Sequence, residues 1–182
     1  MVLSPTLDHR PDVAMESVDR IISRLIETGE TEFVLVGSSL GGFYANYVGG
    51  RYDIPRVLIN PAILPSITLR PMLGEVTNLA TGDTFLWEEE HLKVLALVEN
   101  KIKMWGFANN IRYRATDVVI ARDDDIIDVP ATIGHFTSRN ASLHVFDEGG
   151  HRFSNMEAVY DLIAQRLATI RSTKDFMDDV DI

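Results

Sequence analysis

A chain of 182 residues that is 46% hydrophobic and 24% charged is long enough for one domain with a buried core. Its formal net charge of −10 and isoelectric point near 4.9 exclude nucleic acid as a partner and a basic membrane-surface helix as an element, and they suit a soluble cytoplasmic protein. With no cysteine, disulfides, thiolate–zinc sites and cysteine nucleophiles are removed together, which fits a reducing compartment.

Residues 1–5 lack the basic region and apolar core of a signal peptide, and no run of about 18 apolar residues is present to span a membrane. Val2 and Leu3 start a short predicted strand at 2–4, stopped by Pro5. Pro11 suits a first helical turn, and Ala14, Val18, Ile21, Ile22, Leu25 and Ile26 recur at helical spacing before Gly29, which predicts an amphipathic helix over 12–28. Phe33-Val34-Leu35-Val36 is a continuous apolar run before Gly37 and reads as a strand buried on both faces, followed by a helix at 40–49. Arg56 to Asn60 is the next buried strand, ended by Pro61.

Residues 62–113 are less regular, with Pro65, Pro71, Gly74 and Gly82 ahead of a helix expected from about 86 to 103. This insertion is either a cap over a site or a packing layer that never meets substrate. Asp117 to Ala121 is a further buried strand, Ile133 to Arg139 a helix, and Leu143 to Phe146 another strand. A final helix starts near Ser154, where Ser154 and Glu157 have capping-box spacing, and carries Met156, Val159, Tyr160, Ile163 and Leu167 inward. The acidic stretch 174–182 is expected to be a loose tail behind a single domain at 1–173. Strands alternating with helices predict an α/β fold with a mostly parallel sheet and helices on both faces, and ligands on such sheets bind beyond the carboxyl ends of the strands.

The loops that follow the strands carry the chemistry-bearing residues. Gly37-Ser38-Ser39-Leu40-Gly41 matches G-x-S-x-G between a strand and a helix. The glycines answer a steric need, since a side chain at 37 or 41 is expected to crowd the sharp turn. Ser39 then stands at a helix N-terminus as the candidate nucleophile, with the Leu40 N–H as one oxyanion donor. Gly149-Gly150-His151 follows the strand at 143–146, and its two glycines free the imidazole of His151 to take the Ser39 proton. His9, His91, His135 and His144 lie before or within regular elements and compete poorly. The orienting acid is expected after strand 117–121, where Asp123, Asp124, Asp125 and Asp128 all qualify by position. The order Ser, Asp, His is the one an α/β-hydrolase requires. Glu88-Glu89-Glu90-His91 has a metal-like composition, but successive helical residues point in different directions, so a solvated face is expected.

The segments Val36 to Tyr44, Leu58-Ile59-Asn60-Pro61-Ala62, Asp124 to Asp128 and Glu148 to Phe153 resemble the YqiA-like small esterases of the α/β-hydrolase superfamily over nearly the whole chain. The resemblance implies an acid two residues before the Ile126-Ile127 pair, which selects Asp124 with Asp128 as the alternative. It also implies ester hydrolysis, on short acyl or thioester substrates, with no cofactor and no metal. Family members begin with a strand and a Leu-His-Gly-Phe-like loop that supplies a second oxyanion donor, and this chain has no counterpart before Val2. The expected remedy is an N-terminal extension of the native protein. The alternatives are direct pairing of strand 2–4 with strand 33–37, or a second chain that fills the gap as a homodimer. The expected function is thus a serine hydrolase acting on a small-molecule ester, the alternative being a non-catalytic binding or scaffold protein with an incomplete fold of this type.

Overall fold

The computed structural model describes residues 1–78, 81–107 and 115–180, with 105–107 and 173–180 as backbone only. The elements in chain order are α1 (Pro11–Glu27), β1 (Leu35–Ser38), α2 (Leu40–Tyr52), β2 (Arg56–Ile59), a one-turn α3 (Pro65–Thr68) with a 3-10 turn at Arg70–Met72, β3 (Gly74–Thr77), β4 (Thr84–Trp87), α4 (Glu89–Phe107), β5 (Thr116–Ala121), α5 (Val129–Thr137), β6 (Ser142–Phe146) and α6 (Met156–Val180). They fall into two compact units: Met1–Gly29 with Leu64–Met104, and Glu30–Ile63 with Trp105–Ile182. The end of the expected insertion, 108–113, and residues 181–182 lie outside the described residues.

The second unit is built on four parallel strands in the order β1-β2-β5-β6. Every residue of β2 and β5 is buried, the apolar runs 57–59 and 118–121 as the centre of a parallel sheet requires and Arg56, Thr116 and Asp117 as buried polar groups at their starts. Alternate side chains separate onto the two faces. Leu58, Val118 and Ile120 pack with Ala45 of α2 and with Val129 and Phe136 of α5. Val57, Ile59, Val119 and Ala121 pack with Phe153 and with Val159 and Leu162 of α6. Helices therefore cover both faces. Because all four strands run the same way, the loops after β1, β2, β5 and β6 emerge at one edge.

Several boundaries differ from the sequence reading. Residues 2–4 form no strand, and Val2 is 92% exposed. β1 is the terminal strand of the sheet, with Val36 47% exposed. It begins at Leu35 rather than Phe33, where Leu35 N–H donates to Pro55 O. Pro55 has no N–H with which to extend the ladder backwards. α5 starts at Val129, four residues before Ile133, because Asp128 caps it and accepts the Ala131 N–H at 2.9 Å.

α6 starts at Met156 and continues through residues 174–180. The expected capping box at Ser154 and Glu157 is not formed. Asn155 Oδ1 accepts the Ala158 N–H, while Ser154 N–H turns back to Gly149 O at 2.9 Å.

In the first unit Gly74–Thr77 and Thr84–Trp87 form an antiparallel hairpin, with Gly74 opposite Trp87 and Thr77 opposite Thr84, so residues 86 and 87 are strand where helix is expected. α4 begins only at Glu89. The imidazole of His91 reaches back to accept the Glu88 N–H at 3.0 Å, the return half of a capping box made by histidine in place of glutamate.

Candidate active site

Ser39 sits between β1 and α2 in a backbone conformation that L-residues rarely adopt, φ 53° and ψ −121°. The turn is held from both sides. Ser39 N–H donates to Ile59 O at 2.9 Å, and Ser39 O accepts the N–H groups of Phe43 at 3.1 Å and Ala62 at 3.0 Å. The close turn explains one of the expected glycines and corrects the other. A Cβ on Gly37 would lie 2.6 Å from Gly41 C and 2.8 Å from Gly42 N, so residue 37 must lack a side chain. A Cβ on Gly41 would meet nothing within 4 Å; it is Gly42 whose Cβ would press on Pro61 at 3.0 Å. Leu40 opens α2, so its N–H has no acceptor within the helix.

His151 lies beyond β6 on a loop with two tight glycine positions. Gly150 has φ +62°, and a Cβ on Gly149 would stand 3.0 Å from both Ala121 Cβ and the Phe153 ring. The loop brings His151 Nε2 to 3.0 Å from Ser39 Oγ, across 112 residues of sequence. On the other side of the ring, His151 Nδ1 is 2.9 Å from Asp124 Oδ2 and 3.0 Å from Oδ1. The Asp124 side chain is fully buried, and its Oδ1 also accepts the N–H groups of Ile126 at 2.8 Å and Ile127 at 3.2 Å, so the carboxylate is fixed before it meets the imidazole. With the ring proton on Nδ1 and donated to Asp124, Nε2 keeps a lone pair directed at the Ser39 hydroxyl.

Of the four aspartates after β5, only Asp124 touches His151 among the described contacts. Asp128, the alternative, is exposed and spends its carboxylate on the cap of α5. Asp123 is also exposed and accepts the Gly150 N–H at 2.8 Å, which holds its carboxyl below the usual range. Asp125 is exposed. The competing histidines are placed elsewhere: His144 meets Asp117 at 2.9 Å, and His9 stacks on Phe85 at 4.5 Å between centroids. Burial pushes the imidazole of His135 down to about 4, with Arg139 adding to the shift. In the acidic run of α4, Glu89 pairs with Arg70 and Glu90 with Lys93, and among the described residues no three metal-ligating side chains converge. No helix among them is long and apolar enough to cross a membrane.

The geometry invites comparison with known proteins, and a model of UPF0227, described as an uncharacterised protein family, matches residues 1–167. The chain belongs to the UPF0227 family. This is the YqiA-like family that the motifs resemble. Among solved structures, this UPF0227 chain is similar to Est1E from Butyrivibrio proteoclasticus at 16% identity and a TM-score of 0.59, over 85% of this chain and 71% of that one. It is similar to the monoacylglycerol lipase of Paleococcus ferrophilus at 13% identity and a TM-score of 0.58, over 85% and 75% of the two chains. It is also similar to the esterase domain of a Rhodothermus marinus protein at 18% identity and a TM-score of 0.55, over 85% and 66%. The fold is that of the α/β-hydrolases.

The site has one contributor that the sequence marks only as the end of a strand: the Asn60 side chain reaches the His151 loop at 2.9 Å. An asparagine immediately before a proline at the end of a buried strand was the available signal.

Proposed function

We propose that this UPF0227 protein is a serine hydrolase that cleaves carboxylic esters, with Ser39 as nucleophile, His151 as general base and acid, and Asp124 as the residue that orients His151. The observation that carries the reading is the unbroken chain of contacts from Asp124 through His151 to Ser39, at 2.9 and 3.0 Å. In the reaction, Ser39 Oγ attacks the ester carbonyl while its proton passes to His151 Nε2. The resulting oxyanion lies at the start of α2, where the Leu40 N–H and the helix dipole favour it. Collapse expels the alcohol, which takes the proton from His151. Water, deprotonated by the same nitrogen, then releases the acid and regenerates Ser39. Nothing in these steps calls for a metal or an organic cofactor. The similarity to a lipase and to esterases favours ester over amide cleavage, and thioesters fall within the same chemistry.

A second reading, a binding protein that retains the fold, is favoured by one observation: β1, which leads to Ser39, is the terminal strand of the sheet and half-exposed at Val36. Turnover of a panel of p-nitrophenyl esters and acyl thioesters separates the two. The hydrolase reading expects turnover of at least one short-chain member, reduced at least about 10⁴-fold in Ser39→Ala. A folded wild type with no turnover across the panel, or equal turnover in Ser39→Ala, contradicts it.

A further inference from the structure

Asn60 is fully buried directly after β2, at φ +42°, a left-handed conformation that asparagine tolerates better than most residues with a side chain. Its own N–H donates to Val119 O at 2.8 Å and so extends the parallel ladder by one step. Both donors of its carboxamide and its oxygen are engaged. Oδ1 accepts the N–H of Ala121 at 2.9 Å, and Nδ2 donates to the carbonyls of Gly150 at 2.9 Å and His151 at 3.0 Å. An N–H can only donate and a carbonyl can only accept, so the orientation of the amide is dictated by its surroundings.

These contacts join the loops that bear the reacting groups. Ala121 ends β5, and the next loop begins with Asp124 N–H returning to Ala121 O at 3.3 Å. The Gly150 and His151 carbonyls belong to the loop that presents the imidazole. Two residues beyond Asn60, the Ala62 N–H holds Ser39 O, while the preceding Ile59 O accepts the Ser39 N–H. The short turn 59–62 therefore grips the Ser39 turn through its backbone and the two other loops through one side chain. The Gly150 peptide is held at both ends, its N–H by Asp123 and its C=O by Asn60.

We propose that Asn60 is a positioning residue for ester cleavage: its carboxamide locks the His151 loop to the end of β5, and so keeps the imidazole aligned between Asp124 and Ser39. The inference rests on Ser39, His151 and Asp124 acting as above, but it adds a residue whose carboxamide hydrogen-bonds to backbone groups alone among the described contacts. Neither aspartate nor glycine at position 60 conflicts with the left-handed backbone. Aspartate keeps the shape but loses both donors and sets an oxygen against two carbonyls; glycine removes the side chain altogether.

The test compares wild type, Asn60→Asp and Asn60→Gly by steady-state kinetics on p-nitrophenyl acetate, by thermal unfolding, and by the far-downfield proton NMR signal of the His151 Nδ1–H bonded to Asp124. Misplacement of a catalytic group by about an ångström costs on the order of 10²-fold in rate. The expected result is a fall in kcat of that order with KM within about threefold of wild type, in a protein that still unfolds cooperatively, together with loss or broadening of the downfield signal. Folded variants with wild-type kcat and an unchanged signal overturn the proposal. So does failure of both variants to fold, which would assign Asn60 to folding rather than to alignment. If wild-type turnover is present and lost in Ser39→Ala while the Asn60 variants are unaffected, only the positioning role fails; if Ser39→Ala matches wild type, the hydrolase reading fails and the proposal with it.

Discussion

Two histidine–aspartate pairs are formed along β5 and β6, His144 with Asp117 within the strands and His151 with Asp124 in the loops that follow them, and the contrast between them shows what the proposed catalytic arrangement has that a structural pair lacks. His144 Nε2 meets Asp117 Oδ1 at 2.9 Å and His151 Nδ1 meets Asp124 Oδ2 at 2.9 Å, each pair spanning 27 residues of sequence. Both aspartates are buried. The difference lies in what else each pair touches. Near the amino end of β5, the second oxygen of Asp117 takes the Nε–H of Arg166 on α6, so that carboxylate is tied to a cation and packs a helix against the sheet. Beyond the carboxyl ends, Asp124 is held, besides its histidine, by the backbone N–H groups of Ile126 and Ile127, and the far nitrogen of its histidine faces a serine hydroxyl on a strained turn. Spacing and distance are the same in both. Position on the sheet and the third group are what differ.

The comparison is broken most directly by exchanging losses between the two ends. His151→Ala is expected to lower kcat/KM for a p-nitrophenyl ester by about 10⁴-fold or more, whereas His144→Ala is expected to leave it within a few-fold. A comparable loss in both would erase the distinction.

The aspartates should part in the opposite sense when stability is measured. Asp124→Asn is expected to cost about 10⁴-fold in turnover, because the amide no longer enforces the tautomer that leaves Nε2 free. Asp117→Asn is expected to keep turnover but lose roughly 3 kcal/mol in urea denaturation, since Arg166 and His144 are left facing a neutral group. A stable, inactive Asp117→Asn would contradict the assignment.

His135, a third histidine, sharpens the contrast because it has burial without a carboxylate. With its folded value near 4 against an ordinary 6.5, the unfolded chain takes up a proton between those values that the folded chain refuses. Its contribution is therefore fully present above pH 6.5 and is lost as pH falls from 6.5 to 4, roughly 3 kcal/mol in all. A His135→Gln variant is expected to show a shallower fall in denaturation free energy across that interval. Parallel curves for wild type and variant would show that His135 is not the group responsible.

Much of this arrangement was legible in the sequence because it follows from local chemistry. The apolar runs at 57–59 and 118–121 read as buried strands, and Gly37-Ser38-Ser39 as a strand-to-helix turn. The choice of Asp124 over Asp128 came from resemblance to a family, since four aspartates within six positions are equivalent until the fold assigns Asp128 to a helix cap. The hairpin at 74–87 escaped notice because four-residue strands are too short to establish a period of two, and Leu86 and Trp87 run on into a helical pattern. Gly41 was credited with a constraint that belongs to Gly42, since contact with Pro61 exists only once β2 and its turn lie alongside α2. Asn60 escaped for the same reason: all three partners of its carboxamide are at least 61 residues away.

The most direct measurement is the site of covalent labelling by a fluorophosphonate, read by peptide mapping of the intact, folded protein. The account predicts one stoichiometric adduct, on Ser39, that forms far more slowly in His151→Ala and in denatured protein. An adduct on another residue, or no adduct on a protein shown to be folded, would contradict the claim that Ser39, His151 and Asp124 form a working hydrolytic centre.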